Sequence, residues 1–386
     1  MKILIAEDEQ TTRIRLERYL EKMGYEPSVA ENGLQAWELF NTGAFSLVLT
    51  DWEMPEMDGL ELVRRIRASD RDEYTYIIML TAKTETSEIV EGMETGADDF
   101  ATKPFDRNEL RVRVRAGQRI VDLERTLAEH NRRMQNDLNA AAELQQSLLP
   151  SESPDIESVS FAWTFRPCDE LAGDILGVFK LDEDHVGFYV ADVSGHGVAA
   201  SLLSVSISRA MNPASNHSSL LTTDAGGEQQ ITAPAQVLRD LNRRFPMEES
   251  GGRFFTIAYG ILNLKTLVLR LSSAGHPPVV CVSKDRTLQE LDAEGMLVGA
   301  TDDYEYEESE TSLKAGDRLY LYSDGMVEQA APSDEQFGEQ RLHAEILECL
   351  SSSLNDSVHY LENEVVDWSG NGKLTDDLSI LAVQIE

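Results

Sequence analysis

Residues Arg107 to Pro150 read RNELRVRVRAGQRIVDLERTLAEHNRRMQNDLNAAAELQQSLLP. Between Arg107 and Leu149 there is no proline, and Gly117 is the only glycine. Leu, Arg, Glu, Gln and Ala fill the stretch, and these are good helix formers. Ile120, Leu127, Met134, Ala141 and Leu148 recur every seven residues, the spacing of a coiled-coil seam. The companion positions are Leu123, His130, Asp137 and Leu144; two of these are polar, so the seam is imperfect. One helix is therefore predicted, ended by Pro150, because proline cannot continue the hydrogen-bond ladder. At 1.5 Å per residue it would reach roughly 60 Å, too far to be buried against one small domain. Two readings stand: a parallel dimer stalk joining two domains, with 106–149 as its contact, or a linker helix packed on its own chain. The stalk divides the chain into a first domain at 1–118, a helical linker at 119–150 and a second domain at 151–386.

Composition bounds the rest. With 386 residues, 41% hydrophobic and 27% charged, the chain belongs among folded globular proteins. A net charge of −35 argues against nucleic acid as a direct partner, since phosphate backbones are themselves polyanions. Cys168, Cys281 and Cys349 show no metal-ligand spacing along the chain, and none has an arginine six residues on, which argues against a cysteine-loop phosphatase. Scattered single cysteines fit a reducing compartment. No apolar run reaches ~18 residues, and Met1–Ile5 leads directly into Glu7 and Asp8, so a cytoplasmic protein without signal peptide or membrane span is expected.

In the first domain, Lys2–Ala6, Ser46–Thr50, Tyr76–Leu80 and Asp98–Thr102 read as strands, alternating with helices near 13–23, 34–41, 60–68 and 86–95. That alternation predicts a parallel sheet with helices on both faces, whose functional residues collect at the carboxyl ends of the strands. Glu7, Asp8 and Asp51 lie at such ends, as do Thr81 and Lys103. Close carboxylates repel, and an oxygen-only set suits Mg²⁺. Asp51 could then act as a nucleophile towards a phosphoryl group, with Lys103 neutralising the developing charge.

These residues stand in Ile5-Ala6-Glu7-Asp8-Glu9, in Leu49 to Gly59 (LTDWEMPEMDG), in Leu80-Thr81-Ala82 and in Gly96 to Phe105 (GADDFATKPF). The first domain resembles a CheY-like response-regulator receiver, which implies a doubly wound, five-stranded parallel sheet. The resemblance implies Asp51 as phosphoacceptor, with Glu7, Asp8, Asp51 and the Glu53 carbonyl around Mg²⁺. It also implies Thr81 as the switch hydroxyl, Lys103 as phosphate partner and Phe100 as the aromatic that turns inward. A histidine kinase or phosphotransfer protein would supply the phosphoryl group. Glu7 stands where the family more often has Asp, and a carboxylate is kept.

The second domain is strand-rich. Strands are expected at Val159–Arg166, Asp174–Leu181, Val186–Val193, Phe254–Asn263, Val268–Ser273, Val279–Ser283, Arg318–Ser323 and Leu378–Ile385. Helices are expected at Val198–Ala210, Ala233–Arg244, Gln340–Leu350 and near 356–366, and Asn212–Thr232 reads as a loop or flap. Many strands with a few helices suggest an α+β sandwich. Asp174, Asp192, Asp324, Asp376 and Asp377 sit at strand ends or edges, and Asp174 and Asp324 also stand beside a glycine. Carboxylates without histidine or cysteine partners point to Mg²⁺ or Mn²⁺ and away from Zn²⁺. Two such ions would activate water for in-line attack on phosphorus without an enzyme nucleophile.

The stretches Leu144 to Pro150, Ala172-Gly173-Asp174, Ala191 to Gly197 (ADVSGHG), Phe255 to Gly260, Ala274 to Pro278 (AGHPP), Tyr322 to Glu328 (YSDGMVE) and Thr375 to Ser379 (TDDLS) carry a second resemblance. They are similar to the SpoIIE/RsbU-type branch of the protein phosphatase 2C (PPM) serine/threonine phosphatases, a β-sandwich flanked by helices. The resemblance implies a centre of two Mn²⁺ or Mg²⁺ ions bridged by Asp192, with the Val193 carbonyl, Asp324 and Asp376 as further ligands and Asp174 nearby. Asp192, Asp324 and Asp376 are the catalytic set; Asp377 is the alternative to Asp376. Two positions depart: Gly177 stands where many members carry another acid, and His196 where lysine is frequent. His196 is either a turn residue or a proton donor to the leaving group, and His276 is taken as structural.

The expected protein is a two-component response regulator whose Asp51 phosphorylation controls a metal-dependent phosphoserine/phosphothreonine phosphatase. By resemblance, its substrate is a phosphorylated anti-sigma-factor antagonist in a partner-switching pathway. The competing reading, prompted by Gly177, is a phospho-regulated binding scaffold whose phosphatase domain does not turn over.

Overall fold

In the computed structural model the chain is described except at residues 70, 72, 83–85, 215–219, 225–228, 292–293 and 302, with the backbone alone at 86–89, 224 and 229. It forms two compact units, Met1–Asn136 and Asp137–Glu386, dividing inside the long helix.

The first unit alternates β1 (Lys2–Ala6), α1 (Gln10–Lys22), β2 (Glu26–Ala30), α2 (Gly33–Thr42), β3 (Leu47–Asp51), α3 (Gly59–Arg67), β4 (Tyr76–Thr81), α4 (Thr86–Glu94) and β5 (Asp99–Thr102) before α5 (Arg107–Gln146). The five strands pair in parallel in the order β2-β1-β3-β4-β5. Every residue of β3 and β4 is buried, as expected for strands covered on both faces. One face packs on Phe40, Leu62, Val63 and Ile66, and the other on Leu16, Leu20, Leu110 and Val114. Side chains cap two helices: Asn32 accepts from Gln35 N, and Asp58 from Glu61 N. Strand β2 was not among the segments read from sequence. Glu26-Pro27-Ser28-Val29-Ala30 lacks an apolar run, and its proline is tolerated because β2 is an edge strand.

Helix α5 begins at Asp106, whose Oδ1 accepts from Asn108 N at 2.7 Å. Gly117 is in place because a Cβ there would lie 2.4 Å from the Tyr76 ring. Further along, Leu123, Leu127 and Met134 are more than half exposed, so these seam positions are left uncovered by the described residues. The helix stops at Gln146 and not at Leu149. Leu148 N and Leu149 N donate back to Gln145 O and Gln146 O, a tightened last turn that precedes Pro150.

The second unit stacks two five-stranded antiparallel sheets. One has the order β15 (Ser309–Ser312), β12 (Val268–Ala274), β11 (Phe255–Asn263), β8 (His185–Val193), β7 (Ile175–Lys180). The other has the order β14 (Leu288–Leu291), β13 (Val279–Val282), β16 (Arg318–Tyr322), β17 (Leu378–Ile385), β6 (Val159–Arg166). Leu176, Phe188, Val190, Leu271, Leu319, Leu381 and Val383 fill the space between the sheets. Helices α6 (Val198–Ala210) and α7 (Pro234–Arg244) cover the outer face of the first sheet. Helices α9 (Glu339–Glu348) and α10 (Leu354–Trp368) cover the second, and the single-turn helix α8 (Gly325–Glu328) follows β16. This is the helix-flanked β-sandwich expected.

Four strands of this unit were not among those read from sequence. The loop expected at Asn212–Thr232 contains an antiparallel ribbon of β9 (Thr222–Asp224) and β10 (Gln229–Ile231), while 215–219 and 225–228 lie outside the described residues. Strands β14 and β15 are edge strands of mixed exposure, so their sequences show no apolar run.

Candidate functional site

The receiver acids converge. Parallel register places the end of β1 beside the end of β3, and β4 pairs Thr81 with Thr102. Lys103 follows, its N–H donating to Thr81 O at 2.7 Å. Carboxylate oxygens of Glu7, Asp8 and Asp51 lie within 4.8 Å of one another. Lys103 Nζ bridges two of them, 2.5 Å from Asp51 Oδ2 and 2.7 Å from Glu7 Oε2. Burial raises the Glu7 carboxyl to about 6; the Lys103 bond opposes the rise and the Asp51 charge adds to it. Burial alone would lower Lys103, but its bonds to Asp51 and Glu7 hold it above the ordinary lysine value. An oxygen set this crowded, with Asp8 exposed, fits a hard divalent cation. Thr81 is buried at the rim, and Glu53 lies exposed on the loop after Asp51. Phe100 is half-buried against the Trp52–Met79 cluster, with the Arg113 guanidinium 5.5 Å from its ring centroid.

The second centre is assembled by antiparallel pairing. Ile175 opposite Ala191 sets Asp174 beside Asp192, and Thr256 pairs with Asp192 from the other side. In the second sheet, Tyr322 opposite Ile380 joins the end of β16 to the start of β17, so Asp324 approaches Asp376 and Asp377. Ala172-Gly173-Asp174 needs its glycine: a Cβ on Gly173 would stand 2.7 Å from Val193 O and 2.9 Å from Gly195 O.

Asp192 is the middle of a chain of acids. Its titration is coupled to Asp174 on one side and to Asp324 on the other, and Asp324 feels Asp376. Burial, then the Asp324 and Asp376 charges, push Asp192 up to about 8. Burial and then Asp376 push Asp324 up to about 6. Asp174 is buried and raised well above its ordinary value, by burial first and by Asp192 next. Among the described residues its Oδ2 has no hydrogen-bond partner, although the Ser379 and Ser323 hydroxyls lie close enough to favour its charge. Coupled acids that are buried or half-buried, one with an orphaned oxygen, are costly without a counter-ion, and the donors are those Mg²⁺ and Mn²⁺ take. The metal site therefore fits the residues present.

Asp376 and Asp377 separate by environment. Asp377 is buried and accepts from Cys168 N at 2.8 Å and Gly173 N at 2.7 Å, tying the 168–173 loop to β17. Asp376 is half-buried and faces the other acids and His196. His196 is exposed, with Nδ1 2.6 Å from Asp169 Oδ2. His276 is buried, and burial drives its pKa down to about 3, so it is neutral; its Nδ1 pairs with Thr256 Oγ1 at 2.8 Å.

Gly177 does not open a gap in this centre. It lies three positions after Asp174, and along a strand an odd step turns to the opposite face. Its neighbours Ile175 and Phe179 pack on the helix-covered side, and a Cβ at 177 would fall 2.5 Å from the Tyr189 ring. An acid here would point at Tyr189 and α6 and away from Asp192.

Sequence reading also assigned no role to Gln145, a buried amide beside the Leu144 and Leu148 seam positions. Its Nε2 donates to Ala172 O at 2.7 Å and to Ser204 Oγ at 3.0 Å, and its Oε1 accepts from Ala172 N at 3.1 Å. The last turn of α5 thus grips both the loop before Asp174 and helix α6 after Asp192. Asp169 and Cys168 were likewise unassigned; only the folding of their loop brings them to the acids.

The response regulator receiver domain family matches residues 3–115, and the Stage II sporulation protein E (SpoIIE) family matches 182–386. Phosphoserine phosphatase RsbU of Bacillus subtilis (strain 168) is 31% identical over 204 residues, 53% of this chain and 57% of that one. Transcriptional regulatory protein SrrA of Staphylococcus aureus (strain NCTC 8325 / PS 47) is 43% identical over 114 residues, 30% of this chain and 46% of that one. The chain thus spans about half the length of the curated relatives it matches. The SiaA-PP2C domain of Pseudomonas aeruginosa shares the fold of the second unit, with a TM-score of 0.57 at 20% identity, over 67% of this chain and all of that domain. The chain belongs to the SpoIIE family, as a response-regulator receiver domain followed by a SpoIIE/RsbU-type phosphatase domain.

Proposed function

We propose that the chain is a phosphoserine/phosphothreonine protein phosphatase under receiver control. The observation that carries this is the contiguous set Asp174–Asp192–Asp324–Asp376, acids pressed together with one buried oxygen unpartnered. Two Mn²⁺ or Mg²⁺ ions there supply charge neutralisation and Lewis acidity. Asp192 holds the centre from the middle and Asp174 from its buried end; Asp324, Asp376 and the Val193 carbonyl complete the ligand set. His196, oriented by Asp169, holds a proton at the rim for the leaving alkoxide. In the receiver, Glu7, Asp8, Asp51 and the Glu53 carbonyl hold Mg²⁺, and Asp51 receives the phosphoryl group from a histidine kinase or phosphotransfer protein. Thr81, Lys103 and Phe100 read its presence. The substrate is a phosphorylated anti-sigma-factor antagonist, met in the cytoplasm by a parallel homodimer paired along the exposed seam of α5. Among the described residues no helix is long and apolar enough to cross a membrane. The scaffold reading rested on Gly177, and that residue faces Tyr189.

The test is phosphate release from a phosphoserine protein in Mn²⁺. We expect release that needs Mn²⁺ or Mg²⁺ and changes when beryllofluoride occupies Asp51. A phosphoprotein bound but never hydrolysed, with either metal and in both receiver states, would return the scaffold reading.

Gln145 is the natural transmitter, since repacking of the α5 end must act on Ala172 and Ser204 through it. Coupling of this kind is a shift between two states differing by a few kcal/mol. Gln145→Leu keeps the size of the side chain but leaves two buried backbone groups, Ala172 N and Ala172 O, without their partner, while Ser204 Oγ keeps its bond to Ser201 O; the cost is about 1–3 kcal/mol for each group that water cannot reach. We expect a lower melting temperature for the phosphatase unit and loss of the beryllofluoride response. An unchanged response in the variant would remove Gln145 from the transmission path.

A further inference from the structure

Cys168 brings sulfur to the edge of a centre otherwise built from oxygen. Its Sγ and carboxylate oxygens of Asp376 and Asp377 all lie within 4.8 Å of one another. The loop is locked in that position, because Cys168 N and Gly173 N both donate to Asp377, and Asp377 N donates to Asp376 Oδ1 at 2.8 Å. Cys168 and Asp376 are half-buried, so an ion can enter from solvent. Beside them Asp174 keeps its buried, unpartnered Oδ2 within electrostatic reach of Asp377.

We propose that Cys168, Asp376 and Asp377 form a thiophilic cation site that takes Zn²⁺, and that Zn²⁺ held there inhibits the phosphatase. A thiolate selects Zn²⁺ over Mg²⁺ and Mn²⁺ by softness. Zinc takes sulfur at ~2.3 Å and carboxylate oxygen at ~2.0–2.2 Å in tetrahedral sets, so three donors this close need only small shifts to converge, with a water as fourth ligand. The thiol proton leaves to solvent as the sulfur–zinc bond forms. Asp376 is shared with the proposed catalytic set, so zinc would draw it away from the hard-metal centre. Excess Mn²⁺ cannot reverse this through sulfur, whereas a zinc chelator can. The inhibitory half rests on the phosphatase reading; the binding half does not.

The test uses the full chain with Co²⁺ as a spectroscopic substitute for Zn²⁺. Wild type should show a thiolate-to-cobalt charge-transfer band in the near ultraviolet that stoichiometric Zn²⁺ removes. Cys168→Ser and Cys168→Ala should lack the band, and Cys281→Ser should keep it. A wild type without the band, or Cys168→Ser retaining it, overturns the site. In phosphate release at saturating Mn²⁺, Cys168→Ser should need at least about 10–100-fold more Zn²⁺ for equal inhibition, since losing even an outer-shell partner of a ligand costs that much. Equal inhibition of both proteins overturns the inhibitory half. If wild type releases no phosphate even without zinc, the phosphatase reading has failed, while the cobalt band still decides the site.

Discussion

Asp192→Asn should reduce phosphate release by at least about 10³-fold, equivalent to about 4 kcal/mol of transition-state stabilisation. Asp192 is coupled electrostatically to both Asp174 and Asp324, so it links the two ends of the set. Asparagine keeps the shape but removes the charge that would bridge two ions. The same residue's titration supplies a test that separates loss of function from unfolding. In the metal-free protein Asp192 is raised to about 8, by burial first and then by Asp324 and Asp376. A carboxyl with a raised folded-state pKa contributes stability below its unfolded pKa, near 4, and loses it as pH rises towards 8. Metal-free wild type should therefore become less stable across that window, and Mn²⁺ should stabilise it more at pH 8 than at pH 5. Asp192→Asn should show a flatter profile and match or exceed metal-free wild type at pH 8. Thermal melts at the two pH values, with and without Mn²⁺, measure this. An inactive variant with a lower melting temperature at pH 8 would mean that Asp192 is structural. Full turnover at saturating Mn²⁺ would overturn its place in the centre.

How much of this was readable from sequence depends on whether a feature is local. Asp51, Asp192 and Asp324 announce themselves because an apolar strand runs into each, and chain direction then fixes which end of the sheet it occupies. Strand β2 escaped because an edge strand is free to carry Pro27 and polar residues. Gln145 escaped for a different reason: an amide in a helix is unremarkable until Ala172 and Ser204 are known to face it. Cys168 has no metal spacing along the chain, and its partners lie about two hundred residues away. Gly177 is the instructive case, because resemblance flagged it as a missing ligand, yet the odd step from Asp174 was already visible in the sequence. Counting faces along β7 would have assigned it to the helix side without coordinates.

Asp51→Asn should abolish labelling by acyl phosphate and, with it, every response of phosphate release to acyl phosphate or beryllofluoride. Lys103 Nζ contacts Asp51 and Glu7 together, so removing one carboxylate leaves the Lys103–Glu7 pair intact. The fold should therefore tolerate the change. Part of the rise of Glu7 to about 6 comes from the Asp51 charge, after the larger effect of burial. In wild type, the stability contributed by protonated Glu7 is present below its unfolded pKa, near 4, and is lost as pH rises through 6. Mg²⁺ bound at the acids should then stabilise the receiver more at pH 7.5 than at pH 5, and this difference should shrink in Asp51→Asn, which has lost one ligand and one repulsive charge. The output separates two failures that activity alone would merge. A variant still labelled on another residue moves the phosphoacceptor away from Asp51. A variant that is unlabelled, yet whose phosphatase still responds to beryllofluoride, shows that the reagent acts at the second metal centre. In that event the receiver and the phosphatase would be joined by α5 without being coupled through it, and the Gln145→Leu variant should then retain the wild-type response as well.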